Sequence, residues 1–352
     1  MYETLGFESL TAPQAAVILA LMLGAVFGLL AERTKFCFRR GMVGEDKQPA
    51  MGVWLTSLAV AVIGTQAGVL AGYISFDDHR FMASDLPVLA IIFGGLMFGA
   101  GMVLTRGCVS RLTVLSATGN LRAVFVLLVF AITAHATLKG ILAPVRTTLG
   151  SVTVSIGDTV SLAALPGGTL VWSAVIAIAA LTIALRSGNR GSTLFLAALI
   201  GLLVPAGWIG TGFVLYDDFD PIALQSLSFT APFADTLFWT IASTSIPATF
   251  GVGLIGGVLA GALVASLVFG SFQWQSFTSA TETGRYAGGA VLMGVGGVLA
   301  GGCTVGAGLA GVPTLSIAAI IAILSIAVGG VLTHAALSRK SRAQQIIAHP
   351  AE

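Results

Sequence analysis

Apolar residues fall along this chain in long charge-free blocks, covering residues 9–31, 48–76, 86–105, 123–138, 159–185, 191–216, 236–281 and 286–338. A helix needs about 20 mainly apolar residues to cross the hydrocarbon layer of a bilayer, and most of these blocks reach that length. The block 123–138 is short but is extended by the largely apolar segment 139–145. The last block is long enough for two crossings. In 236–281, Pro247 and the polar stretch 271–279 leave room for one helix, over 248–270. The pattern predicts an all-α polytopic membrane protein of about nine spans.

Charge between the blocks orients them, because short cytoplasmic loops carry an excess of Lys and Arg. Arg33, Lys35, Arg39, Arg40 and Lys47 follow the first block. Alternation then groups them with Arg106, Arg111 and Arg122, with Arg186 and Arg190, with Arg285, and with Arg339, Lys340 and Arg342. The opposite loops hold Asp77, Asp78 and Asp85, then Asp217, Asp218, Asp220 and Asp235, with Arg80 and Arg146 as exceptions. Nine spans fit this bias at every loop, with the N-terminus outside and the C-terminus cytoplasmic in a bacterial inner membrane. The first ten residues are acidic and do not resemble a cleaved signal.

Composition agrees. Only 9% of the 352 residues are Asp, Glu, Lys or Arg, against about 25% in ordinary soluble domains, too few to cover a water-exposed surface. A net charge of +2, without basic–aromatic clusters, gives no reason to expect a nucleic-acid partner. The 45 glycines, about one residue in eight, are not spaced as in collagen.

Two of the glycine-rich segments read alike. Aligned on Cys108 and Cys303, Gly94 meets Gly289, Gly99 meets Gly294, Gly101 meets Gly296 and Gly107 meets Gly302. In the nine-span arrangement the two copies cross in opposite directions, as in transporters built from inverted-topology repeats. The expected organisation is a single membrane domain over 1–352. It has a first repeat at 1–145, a connecting span at 146–190, a second repeat at 191–338 and a cytoplasmic tail at 339–352. Pairs such as Gly24 and Gly28, Gly95 and Gly99, or Gly297 and Gly301 suit close helix packing. The glycines beside the cysteines are different. Gly107, and Gly301, Gly302, Gly306 and Gly308, each cost about 1 kcal/mol in a helix interior. Broken or re-entrant helices near the midplane are expected there, exposing N–H groups that attract an anion without fixed charge.

The third cysteine, Cys37, lies at the basic end of the first span, in a Phe36-Cys37-Phe38-Arg39-Arg40-Gly41 segment. Three cysteines make no disulfide framework. No Cys-x-x-Cys or His-x-x-x-His spacing marks a metal site, and His79, His135, His334 and His349 are scattered. His135 and Lys139 share one helix face, as a local pair or a water-lined edge. No base adjoins a cysteine in sequence, so neither an enzyme nor a cofactor is expected, though proximity through the fold stays open.

The reading that uses all these features is passage of a sulfur-containing anion. A thiol in apolar surroundings stays neutral, because its charged form loses hydration, and a neutral thiol can donate a weak hydrogen bond to a terminal sulfur. Hydroxyls of Ser110, Thr113 and Thr304 and free N–H groups at Gly107 and Gly302 would hold oxygens. Arg106, Lys35, Arg39 and Arg40 would draw the anion inward. Weak sites in series allow both entry and release. A membrane enzyme carrying a persulfide, a metal transporter and a structural or receptor-like membrane protein remain alternatives.

These segments resemble the YeeE/YedE family of bacterial membrane transporters for thiosulfate or related sulfur compounds. The likeness rests on residues 94–108 and 289–306, on the Cys37 loop and on residues 225–235. It implies that Cys37, Cys108 and Cys303 line the route and relay the ion. It also implies, by analogy, a small cytoplasmic sulfur-carrier partner of the TusA/SirA type. The two halves differ where Arg106 aligns with Gly301.

Overall fold

The structure is a computed structural model that describes residues 10–348 apart from 158 and 218, with side chains described up to Arg339. The expectations for residues 1–9, Asp218, His349 and the side chains of the tail beyond Arg339 lie outside the described residues. Among those described, nine helical segments are long and apolar enough to cross a membrane. They are Ala12–Val43, Lys47–Leu70, Val88–Ala117, Leu121–Lys139, Gly168–Leu185, Gly191–Val214, Phe250–Val268, Ala280–Thr314 and Ile317–Arg339. The protein is a multi-pass helical membrane protein.

Three of these segments are interrupted by a non-helical break, and a fourth, Gly191–Val214, ends in a π-helical turn at Gly210–Val214. The first is α1 (Ala12–Thr34) followed by the short α2 (Phe38–Val43). After α3 (Lys47–Leu70), the third is α4 (Val88–Leu104) and then α5 (Val109–Ala117). Single helices follow as α6 (Leu121–Lys139), the surface α7 (Ala143–Gly150), α8 (Gly168–Leu185) and α9 (Gly191–Ile209). A helix that the sequence pattern left inside a loop, α10 (Thr230–Ala242), precedes α11 (Phe250–Val268). The eighth segment is α12 (Ala280–Leu299), then a π-helical turn at Thr304–Gly311 and a 3₁₀ turn at Val312–Thr314. The long α13 (Ile317–Ala348) closes the bundle. The strands are two residues each, Asp85–Leu86 against Val154–Ser155.

Glycine makes the centre compact. Gly24 and Gly28 of α1 lie against the backbone of Leu254 and Val258, while Gly253, Gly257 and Gly261 of α11 lie against Val17, Leu21 and Ala25. Residue numbers rise together across this contact, so α1 and α11 are parallel. Helices α4 and α12 are antiparallel, with Gly101 at Gly289 and Gly94 at Gly296 and Ala300. A β-carbon at these positions would strike backbone, so small residues set the interhelical distance. On α8 the large apolar side chains face outward: it buries only Ala177, Ala180 and Ala184 while exposing Leu170, Val175, Ile178 and Leu185. Lipid replaces water as the surrounding solvent, so an outward leucine costs nothing there.

Contacts between loops sort them onto two ends. Arg122 reaches Glu282 and the Ser276 carbonyl, Asn120 bonds Gln275, Arg111 pairs with Glu32 at 3.3 Å, and Arg33 lies over Phe269. Asn189 donates to the Pro49 carbonyl. These contacts gather the Lys- and Arg-rich loops at one end, here the basic end. At the other, acidic end, the Ile156 N–H donates to the Ser84 carbonyl, the Ser316 hydroxyl to the Phe81 carbonyl, and Tyr73 packs on Phe213.

Candidate functional site

Each of the three cysteines follows a helix stop of one design. Helices α1, α4 and α12 end on Lys35, Arg106 and Gly301, whose φ values of 51°, 59° and 74° are left-handed. Each of these residues donates its N–H three residues back, to Glu32, Val103 and Val298 respectively, at 3.1–3.3 Å. Phe36 and Gly107 then reach back five residues, to the carbonyls of Ala31 and Met102, which makes the first two stops Schellman motifs. One residue later comes the cysteine, in extended backbone, at the start of the next helical segment. A left-handed residue carrying a β-carbon costs about 1 kcal/mol. Lys35 and Arg106 bear that cost, and such retained strain is concentrated at functional positions. The aligned pair Arg106 and Gly301 thus differs in residue type and shares one backbone state.

The turns bring the thiols together. Cys37, Cys108 and Cys303 are free and only 4%, 1% and 1% exposed, so Cys37 is inside the protein and not at its basic surface. Cys37 and Cys108 lie within hydrogen-bonding reach of each other. The Cys108 sulfur is 3.3 Å from the Ser110 hydroxyl, and the Thr304 hydroxyl is also in reach. The Cys303 sulfur accepts the Gly306 N–H at 3.4 Å, with the N–H groups of Val305 and Phe229 close by. Thr304 therefore links the surroundings of Cys303 to those of Cys108. Thr113, another expected hydroxyl, bonds the Val109 carbonyl on its own helix.

Other expected residues are dispersed. Gly107 and Gly302 are buried in the two breaks. A β-carbon at Gly302 would meet the Ala307 nitrogen at 2.8 Å, whereas one at Gly107 would meet only the Leu112 side chain, at 3.1 Å. Arg106 is exposed at the basic end, within electrostatic reach of Glu282. Lys35 is exposed there too, and Arg40 is paired with Asp46, whose carboxyl is held below the usual range by that guanidinium. Arg39 keeps a buried Nε without a partner. His135 stacks on Phe238 at 5.1 Å, and with Lys139 it faces Asp235, whose carboxyl burial pushes up. Among the described residues, no three His, Cys, Asp or Glu side chains are grouped to hold a metal ion.

A cavity of about 780 Å³ opens at the acidic end and descends to Gly306 and Ala310, beside Cys303. Its walls come from three separated stretches of sequence: residues 75–81, residues 208–235 and the start of α11. Sequence reasoning missed this vestibule and the one cation lining it among the described residues, Arg80. Arg80 has open water on one side, while protein on the others strips hydration from its guanidinium and lowers its pKa from the ordinary value. It remains charged at neutral pH. The adjoining His79 accepts the Phe81 N–H on Nδ1 at 3.3 Å, and burial with the Arg80 charge pushes its pKa down to about 4, so it is neutral near pH 7. The available signal was the lone arginine in the otherwise acidic run Asp77-Asp78-His79-Arg80.

Residues 33–332, which hold all three cysteines, match the family model described as sulphur transport. The thiosulfate transporter TsuA of Escherichia coli (strain K12) is 24% identical over 327 residues, covering 83% of this chain and 86% of that protein. The thiosulfate transporter TsuA of Spirochaeta thermophila is 26% identical over 323 residues, covering 88% of this chain and 95% of that protein.

Proposed function

The chain belongs to the sulphur transport family, and from that membership we propose that it takes up thiosulfate, passing the ion along its three thiols. The observation that carries this reading is the buried series of Cys303, Cys108 and Cys37, which starts beneath the vestibule and ends next to the basic loops. A neutral thiol offers a proton to the terminal sulfur of thiosulfate, where a thiolate would repel the dianion. Ser110, Thr304 and the N–H groups around Cys303 offer donors to its oxygens. These donors are thiols, hydroxyls and backbone N–H groups and not ammonium or guanidinium groups, so each station is weak and the ion can leave it again. Arg106, Lys35 and Arg39 attract the ion at the far end. No bond in the ion is broken, so the protein acts as a transporter and not as an enzyme.

The two Gly-Cys breaks act in this reading as the cores of inverted repeats, with the first half at 1–145 and the second at 191–338. The membrane is the bacterial inner membrane, the basic end faces the cytoplasm, and a small sulfur-carrier protein of the TusA/SirA type receives the ion. Charge bias supports that orientation. In a cysteine-free background, single cysteines at Asp77 and Asp217 are expected to label from outside with a membrane-impermeant maleimide, and one at Arg186 only after permeabilisation. External labelling at Arg186 would overturn it.

The substrate is tested by growth. A bacterium lacking its own sulfur importers, given this gene, is expected to grow on thiosulfate as sole sulfur source and not on sulfate, which has no terminal sulfur for the thiols. Equal growth on both, or none on thiosulfate with the protein in the membrane, would reject the proposal.

A further inference from the structure

We propose that the vestibule is a binding site in its own right, in which Arg80 holds the oxygen end of an incoming sulfur oxyanion before its sulfur end reaches Cys303. This inference rests on the uptake reading for direction and adds to it a distinct first station. The cavity is far larger than one small ion, so without a specific anchor an anion would be held nowhere within it. Arg80 supplies that anchor: it is the only lysine or arginine among the described residues lining the cavity, and it lies within electrostatic reach of Cys303. A guanidinium presents a planar fork of donors that fits two oxygens of a sulfonyl group at once.

The surroundings favour this role over a structural one. None of the described salt bridges uses Arg80, although Asp78 and Asp235 line the same cavity. Asp235 faces Lys139 and His135 of α6 instead. The Arg80 guanidinium instead stands 5.0 Å from the Phe81 ring, which holds its plane without neutralising it. Trp208, 3% exposed and also lining the cavity, has an indole N–H without a partner, and the neutral His79 packs edge-on against it. The floor is formed by Gly306, whose N–H is already directed at the Cys303 sulfur. An ion with its oxygens on Arg80 would thus sit in the cavity whose lining ends at the turn that holds the first thiol.

The arrangement divides selectivity into two steps. Arg80 recognises charge and oxygens, which sulfate and thiosulfate share; the thiols recognise terminal sulfur, which only thiosulfate has. Sulfate should therefore occupy the vestibule without crossing, as a competitive inhibitor whose strength depends on Arg80.

The test combines uptake of labelled thiosulfate in proteoliposomes with equilibrium binding of thiosulfate and of sulfate to the purified protein. Wild type, Arg80→Lys, Arg80→Gln and Cys303→Ala are compared. Arg80→Gln is expected to raise KM for thiosulfate and weaken sulfate inhibition by about tenfold or more, the range for a lost charged hydrogen-bond pair. The maximal rate should change much less. Arg80→Lys should fall between, and Cys303→Ala should lose uptake while still binding sulfate. If wild type transports and Arg80→Gln leaves KM and sulfate inhibition within about twofold, the Arg80 site is wrong and the uptake reading stands. If wild type binds both ions through Arg80 but moves neither, the site stands and the uptake reading falls. If wild type binds neither ion and moves neither, both are wrong.

Discussion

Uptake of labelled thiosulfate is expected to disappear when Cys37, Cys108 and Cys303 are all replaced by alanine, at membrane levels of protein matched to wild type. Among single variants, Cys108→Ser and Cys303→Ser should each lose more than about tenfold, the scale of leaving a buried polar partner unpaired. Serine keeps a donor but is smaller and less polarisable, so it pairs poorly with a terminal sulfur. Cys108 sits at the junction, in reach of Cys37, Ser110 and Thr304, and its loss should be the most severe. Cys37 is expected to matter as well, because it is buried against Cys108 and not stationed among the surface arginines. A small mercurial added from the vestibule side should inhibit, and excess thiosulfate should slow that inhibition. Near-normal uptake by the triple alanine protein would end the thiol series, and with it the preference for a sulfur substrate.

Gly302→Leu is expected to abolish uptake for a different reason. Even a β-carbon there comes within 2.8 Å of the Ala307 nitrogen, which belongs to the turn holding Cys303. Backbone cannot yield as a side-chain tip can, so the turn must move and the Cys303 sulfur with it. Gly107→Leu should be milder, since the atoms it meets belong to the flexible Leu112 side chain. The left-handed stops give a further contrast. Arg106→Gly keeps the backbone state that Gly301 already has, and an exposed charge is worth about 1 kcal/mol or less, so uptake should stay within about fivefold of wild type. Arg106→Val places a branched side chain at φ 59° and should give little folded protein by fluorescence-detected size exclusion. Normal uptake by Gly302→Leu would show that the break does not position Cys303.

These two experiments separate what was visible in the chain from what was not. The Gly-Cys elements could be found because the helix breaks are written in glycine, which is costly inside a helix and so informative where it recurs. The third stop could not. Lys35 adopts the same left-handed state as Gly301, but nothing in lysine announces it; the surrounding contacts impose it. Likewise α10 was hidden inside a loop, because its thirteen residues are too few to cross a bilayer and its apolar face is covered by α6, α11 and α12, which are distant in sequence or follow it.

The amino-acid sequence by itself determined the class and the spans. A hydrocarbon layer excludes charge over a fixed thickness, so most crossings appear as long charge-free blocks and most loops as charged intervals, the last block, 286–338, holding two crossings with an uncharged connection. It also marked glycine faces suited to close packing, such as Gly24 and Gly28, while the structure alone showed that α1 meets α11 and α4 meets α12. Tertiary structure alone decided that Cys37 meets Cys108, that Thr304 joins the two breaks, and that Arg80 overlooks Cys303. Those meetings depend on how segments far apart in the chain are rotated and stacked. Helix packing sets that through many small contacts at once, and no local run of residues encodes it.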